Sequence, residues 1–290
     1  MADPKIRSYI NESISGSPHE WPIEWFARNY PRRYARALSI GCGDGALERD
    51  LIKRDLVATI DAFDASINSL SVARRTAAEA GLGHRINYYL ADFNEPVITK
   101  DAYDLILIHQ ALHHVAKIEK LYRQILGALR PGGLLYFDEY IGPSRFDWNE
   151  RTVANHRALY ALLPSRTLQR LPLPIQPDDP SEAFRSSEIM SLLRRGFTIE
   201  QQRSYGGNLL AVVYPIIDWQ IAPPELVEQL IEAEKELLQG DALPFHAIVV
   251  ARPKTGISRR IARAWYWLVP KLQRVRRELA ARLKLRSSPG

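Results

Sequence analysis

A chain of 290 residues, 46% hydrophobic and 25% charged, can bury a substantial core and has the balance of a globular protein rather than a disordered or fibrous one. Its single cysteine, Cys42, excludes an internal disulfide and a zinc site built from several thiolates, and it fits a reducing compartment. The net charge of +6 is lopsided: from position 256 on, ten Arg and Lys face one acid, Glu278, which leaves 29 basic and 32 acidic residues before it and excludes a general basic footprint for nucleic acid on the body.

Residues 1–35 hold two aromatic clusters, around Trp21 to Phe26 and Tyr30 to Tyr34, which read as a cap on a sheet edge. Strands are predicted at 37–40, 58–63, 86–90, 103–108 and 134–138, with helices from 46, at 67–80 and at 118–129; Pro131, Gly132 and Gly133 read as the turn that ends the last of these. Strands separated by helices of this length imply right-handed crossovers and a parallel sheet. Between 142 and 180 six prolines break the pattern around one predicted helix, 150–162, and so long an insertion reads as a cover for a site. A helix at 181–195, a strand at 197–203, an apolar run to Ile217, a helix at 224–238 and a closing strand at 247–251 follow. The organisation expected is a cap, 1–35; a domain, 36–255, with the insertion; and a tail, 256–290.

Chemistry concentrates after the first strand, in Gly41-Cys42-Gly43-Asp44-Gly45. Glycines there let a ligand lie against the main chain. Asp64 closes the second strand, where a carboxylate can accept from both hydroxyls of a ribose. Gly41, Gly43 and Ala46 also fit a dinucleotide fingerprint, which leaves NAD and FAD open. Asp44 inside the loop is unhelpful beside a pyrophosphate and suits an amino-bearing ligand. Asp92 after the third strand can accept from an adenine amino group while Phe93 packs near the ring. Cys42 itself reads as a small buried packing residue.

In these pieces, with Tyr103 to His109 and Leu129 to Leu135, the chain resembles the class I S-adenosylmethionine (SAM)-dependent methyltransferases, in family order across residues 37–138. The resemblance implies a Rossmann-like, doubly wound α/β fold with seven strands, mostly parallel with a final antiparallel strand. It implies SAM as cofactor, with Gly41, Gly43 and Gly45 near the methionine part, Asp64 at the ribose, Asp92 and Phe93 at the adenine, His109 beside the methyl, and Cys42 and Ala65 also in contact with the cofactor.

An alcohol acceptor benefits from a base that removes its proton. Candidates follow the fourth and fifth strands: His113, and the neighbours Asp138 and Glu139, of which one reads as a structural partner. Read as a helical turn, His109 and His113 share a face and His114 points aside. His113 and His114 lack a matching acid at ligand spacing, so no metal is expected. Arg185 reads either as a grip on an acceptor carboxylate or phosphate or as an internal ion-pair partner.

In the tail, Ile261, Trp265, Leu268, Leu272, Val275, Leu279 and Leu283 recur at steps of three and four, an apolar stripe with arginines around it that Pro270 is expected to kink or divide. Such a basic amphipathic helix suits an anionic membrane surface; packing on the domain or on a second copy, as in a homodimer, is the alternative. No apolar run approaches the roughly 20 residues that span a bilayer, and the first residues lack a secretory signal's apolar centre, so a cytoplasmic or peripheral membrane location is expected. The activity expected is O-methylation of a sugar, glycan or glycolipid hydroxyl. A small-molecule methyltransferase of secondary-metabolite or quinone type, or a non-catalytic SAM-binding scaffold, are the alternatives. No nucleic-acid partner is expected.

Overall fold

The computed structural model describes residues 3–144, 147, 181–207, 209–214, 217–240 and 242–286, with residues 212 and 276–286 by backbone alone. The helix predicted at 150–162 and most of the insertion lie outside the described residues.

Seven strands form one sheet in the order β3-β2-β1-β4-β5-β7-β6. They are β1 (Tyr34–Ile40), β2 (Val57–Asp64), β3 (Ile86–Leu90), β4 (Tyr103–His109), β5 (Leu129–Tyr140), β6 (Phe197–Tyr205) and β7 (His246–Pro253). The first five pair in parallel, and β7 runs antiparallel to both β5 and β6. The sheet is therefore mostly parallel with the last strand reversed, as the resemblance implies. The order in which strands are added reverses between β1 and β4, and open α/β sheets bind ligands at such a switch point, beyond the carboxyl ends of the strands.

The turn expected after the helix at 118–129 is instead absorbed by β5. Tyr103 pairs with Leu129 and Leu105 with Leu134, so Arg130 to Gly133 bulge out of register. Gly132 takes φ +76°, a conformation glycine adopts without a side-chain penalty.

The apolar strands account for a core on both faces. Leu105 and Leu107 of β4 face a cluster with Trp25, Phe26, Leu51 and Leu70, while Ile106 and Ile108 face another with Tyr122, Ile125, Phe137 and Tyr266. Helices α1 (Pro4–Ser15) and α2 (Pro22–Asn29) form the N-terminal segment, whose Trp25 and Phe26 are fully buried on the sheet. Helix α1 escaped the sequence reading because its apolar positions are sparse. On the first face lie α3 (Ala46–Lys53) and α4 (Ile67–Glu79); α5 (Ile118–Ala128) and α6 (Ile189–Gly196) lie on the second.

Helix α6 starts at Ile189, eight residues later than predicted. Ser186–Glu188 form a 3-10 turn, with Ser186 buried and its hydroxyl donating to the Pro143 carbonyl at 3.2 Å. A third apolar cluster joins Ile6 and Tyr9 of α1 to α7 (Leu210–Val213) and α8 (Leu226–Gln239). Helix α9 (Gly256–Arg286) runs on undivided past Pro270. Its buried Ala262 and Tyr266 pack on the second face, and the Tyr266 hydroxyl donates to the Leu192 carbonyl at 2.6 Å.

Candidate active site

Beyond the carboxyl ends of β1 to β4 opens a cavity of about 800 Å³. Its lining includes Gly41, Cys42, Gly43, Asp64, Ala65, Asp92, Phe93 and His109, so eight of the nine residues expected around the donor meet there. Gly45, the ninth, does not line it. Its φ of +75° opens α3, and a β-carbon there would overlap the Tyr88 hydroxyl, so this glycine seats the helix against β3. Gly41 plays a similar part, since a β-carbon on it would overlap the methyl group of Ala111. Gly43 alone of the three has open space on that side.

The loop is tied to the end of β2. The N–H groups of Gly41 and Cys42 donate to the Phe63 carbonyl at 2.8 and 3.2 Å. Gly43 N–H donates to Asp64 Oδ2 at 2.9 Å, and Ser66 N–H to Asp64 Oδ1 at 2.8 Å. The Asp64 carboxylate is thus fixed by two backbone donors while its oxygens keep further acceptor capacity. Phe93 packs on Phe63 with ring centroids 5.9 Å apart. Cys42 is buried and burial pushes its thiol well above the usual range, which fits packing rather than reactivity.

Sequence reasoning missed Glu48, on the first turn of α3. It is 1% exposed, lines the donor cavity and accepts from the Ser39 hydroxyl at 2.5 Å. Its second oxygen has no hydrogen-bond partner among the described residues, and burial pushes its carboxyl up. A buried acceptor in that position fits an ammonium group such as that of the methionine part of SAM. An acid on the first turn after a glycine loop was a signal available in the sequence.

Two expected catalytic residues are reassigned. Glu139 is fully buried and lines neither this cavity nor the one described next. It accepts from the N–H groups of Ala111 at 2.9 Å, Leu112 at 2.6 Å and Tyr140 at 2.9 Å, and it pairs with His113 Nδ1. Burial works to raise its pKa, but the attraction and hydrogen bond of His113 and the backbone donors outweigh this and hold it below the usual carboxylate value. Among the described residues, Glu139 and buried His113 shape the turn after β4, and neither lines either cavity. His109 is not on that turn: it ends β4, and Leu112–His114 form a 3-10 turn of their own.

Glu139 stabilises the fold as a carboxylate. With a lowered folded pKa, its stabilisation is present in full above its unfolded pKa and is lost as pH falls through the folded value. Glu139→Gln is expected to lower stability by about 1–3 kcal/mol at neutral pH, since one amide oxygen cannot serve all the buried backbone donors and the His113 ring that the carboxylate satisfies. It is also expected to flatten the acid limb, as measured by urea denaturation across pH; an unchanged acid limb would assign the lability to other groups.

Asp138, also expected as catalytic, lies on the opposite side of β5, as strand alternation requires. There a second cavity of about 310 Å³ opens between the strand ends and the helices α1 and α7. His109 and Gln110 line both cavities. His109 Nδ1 stands 3.5 Å from Asp138 Oδ2, and the Tyr205 hydroxyl donates to Asp138 Oδ1 at 2.5 Å. The surrounding cleft works against a charged imidazole, but hydrogen bonding and attraction to Asp138 outweigh it, so the His109 pKa is raised. Burial works to raise that of Asp138, yet His109 and Tyr205 hold it below the usual range. Gln110 turns the chain at φ +49°, a conformation uncommon outside glycine, with its N–H on the Asp138 carbonyl at 2.9 Å.

The remaining wall of the second cavity comes from Ile6, Arg7 and Ile10 of α1, from Leu210, Ala211 and Tyr214, and from Gly207, Glu234 and His246. Glu234, fully buried, accepts from the N–H groups of Gly207, Leu209 and Leu210 at 3.0, 3.1 and 2.8 Å and so holds that loop in place. Arg185 is the internal partner of the two readings given for it, bound to Glu119 at 2.8 Å and to Glu188 at 2.6 Å. The ground for expecting no metal also needs correction. An acid does reach the paired histidines, from far along the chain: Glu182 lies 3.7 Å from His113 Nε2 and 3.8 Å from His114 Nε2.

Residues 37–133 match the family profile described as "Methyltransferase domain". Among curated proteins, the chain is 25% identical over 112 residues to the sterol 24-C-methyltransferase of Aspergillus fumigatus, covering 39% of this chain and 29% of that protein. It is 29% identical over 136 residues to the ubiquinone biosynthesis O-methyltransferase of Brucella anthropi, covering 46% of this chain and 51% of that protein. The chain thus spans about half or less of the curated relatives it matches. Its fold is similar to that of the geranyl diphosphate C-methyltransferase from Streptomyces coelicolor A3(2), with a TM-score of 0.51 at 12% identity over 79% of this chain and 77% of that one. It is similar as well to a putative sarcosine dimethylglycine methyltransferase from Galdieria sulphuraria, with a TM-score of 0.50 at 16% identity over 79% of this chain and 84% of that one. The glycine loop, Asp64 and the sheet order agree with these matches: residues 37–133 are a methyltransferase domain of the class I, SAM-dependent kind, and SAM is the cofactor of that domain.

Proposed function

We propose that the protein methylates a hydroxyl of a small acceptor held in the 310 Å³ cavity, with His109 as general base and Asp138 as its orienting partner. The observation that carries this reading is the position of His109 on the wall shared by the two cavities, backed by Asp138. When bound, SAM supplies an electrophilic methyl group on a sulfonium. The chain's own part is to align the acceptor, exclude water and take the hydroxyl proton on His109. Asp138 fixes the ring through Nδ1 and favours the imidazolium that results. Tyr205 in turn holds Asp138.

The aliphatic side chains of Ile6, Ile10 and Leu210, beside the ring of Tyr214, favour an acceptor with an apolar body, of quinone or secondary-metabolite type, over the sugar or glycan first expected. The names of the relatives, for ubiquinone biosynthesis and for a sterol, support the same direction. Incubation of the full chain with methyl-labelled SAM and separate panels of phenols and monosaccharides tests it. Label in phenol products is expected; transfer to sugars alone would contradict the acceptor class.

We also propose that α9 rests on an anionic membrane surface, which would put the protein at the cytoplasmic face. Ile257, Ile261, Leu268, Leu272 and Val275 recur on one side of the helix and are 44–75% exposed, opposite the buried Ala262 and Tyr266. Arg260, Arg263, Lys271 and Arg274 flank them, beside Trp267, and no acid occurs between 256 and 275. Exposed apolar groups with a cationic flank suit a headgroup boundary. Trp265, expected in this stripe, instead packs partly buried on the core, with Arg195 over its ring at 5.0 Å. Among the described residues no helix is long and apolar enough to cross a membrane. Leu268→Glu with Leu272→Glu is expected to abolish co-sedimentation with phosphatidylserine vesicles while leaving the fold intact. A dimer that the same changes disrupt, with no vesicle binding by the parent protein, would favour self-packing instead.

A further inference from the structure

We infer that His113, His114 and Glu182 form a binding site for a divalent transition-metal ion of the zinc and cobalt class, beside the donor cavity, which His114 lines, and separate from the His109–Asp138 pair. One ligand atom from each residue, two imidazole nitrogens and a carboxylate oxygen, lies within 4.8 Å of the others. The Nε2–oxygen separations, 3.7 Å from His113 to Oε1 and 3.8 Å from His114 to Oε2, are slightly longer than the roughly 3.3–3.6 Å between neighbouring ligands of a tetrahedral ion held at roughly 2.0–2.2 Å, so a small side-chain adjustment would seat one. Two imidazoles and one carboxylate are a ligand set of the kind found in catalytic zinc sites with an open position.

A second feature of the site concerns its surroundings. Each imidazole is oriented through its other nitrogen: His113 Nδ1 by the Glu139 carboxylate, and His114 Nδ1 by the Ser181 hydroxyl at 3.0 Å. Metal-ligating histidines characteristically carry such a partner, most often a carboxylate or carbonyl, which fixes the ring and its tautomer. Glu139 can serve in that role because three backbone N–H groups anchor it. The side chains of His113, His114 and Glu182 are 8%, 26% and 23% exposed, so an ion there would be partly dehydrated yet reachable.

The site joins two distant parts of the chain. His113 and His114 belong to the turn after β4, whereas Ser181 and Glu182 begin the described stretch that leads into α6. His114 and Ser181 also line the donor cavity. A bound ion would clasp these parts together and brace that wall.

The experiment uses the full chain without a histidine tag, stripped with chelator and titrated with Co²⁺ and then Zn²⁺. One equivalent of Co²⁺ is expected to bind with a visible d–d absorption band that Zn²⁺ bleaches, and either ion is expected to raise the unfolding temperature. Glu182→Gln and, independently, His114→Gln are each expected to remove the band and the thermal shift. Their side chains are partly exposed, and circular dichroism checks their folding. Absence of saturable one-equivalent binding would reduce the cluster to histidine–glutamate ion pairs and overturn the inference. Binding that persists unchanged in both variants would overturn it too, by placing the ion elsewhere.

Discussion

Replacing Asp64 by alanine is expected to weaken SAM binding by at least about two orders of magnitude, as measured by calorimetric titration of the full chain. The carboxylate stands at the end of β2, fixed by Gly43 N–H at 2.9 Å and Ser66 N–H at 2.8 Å. Hydrogen bonds to a charged group contribute about 1.5–3 kcal/mol each, and two to a ribose would together exceed the 2.7 kcal/mol or so that a hundredfold represents. The change also releases Gly43, so the loop loses its tie to the neighbouring strand. Asp64→Asn should lose less, because an amide keeps one acceptor and the shape. An unaltered dissociation constant in the alanine variant would show that the ribose assignment is wrong.

The second large effect concerns turnover. His109→Gln is expected to lower kcat by about 10²–10⁴-fold, the range for loss of a general base, with little change in SAM affinity. The pH profile separates a base from a merely structural residue. His109 must be unprotonated to accept a proton, and its pKa is raised, so kcat should rise with pH through that raised value. Asp138→Asn removes the attraction that raises it; turnover should fall and the limb should move to lower pH. Full activity in both variants would leave the proton to solvent or to the acceptor's own acidity. A limb that stays in place in Asp138→Asn would exclude His109 as its source.

The sequence made the donor half of the molecule legible because its signals are local. Strand, glycine loop and helix follow one another without interruption, and the acid that closes the next strand needs only the parallel pairing of β1 with β2 to reach the loop. What lay hidden depends on contacts between distant segments. Nothing near Glu139 announces that three N–H groups, two of them from the turn after β4, will surround it, so its position after a strand suggested chemistry where the fold uses it as a brace. Glu182 reaches His113 and His114 from nearly seventy residues away, which spacing rules for metal ligands do not anticipate. Likewise the second cavity takes one wall from α1 and another from α7, the two ends of a long chain path. His109 was placed beside the donor from the family pattern, and its second face, toward Asp138, emerged only from the pairing of β4 with β5.

The most direct test of the account is a parallel titration of the full chain with SAM and with NADH. Saturable one-to-one binding of SAM and none of NADH is the predicted result, since three acids, Glu48, Asp64 and Asp92, line the cavity beside the loop, an arrangement that repels a pyrophosphate and suits a cationic ligand. Binding of NADH without binding of SAM would contradict it.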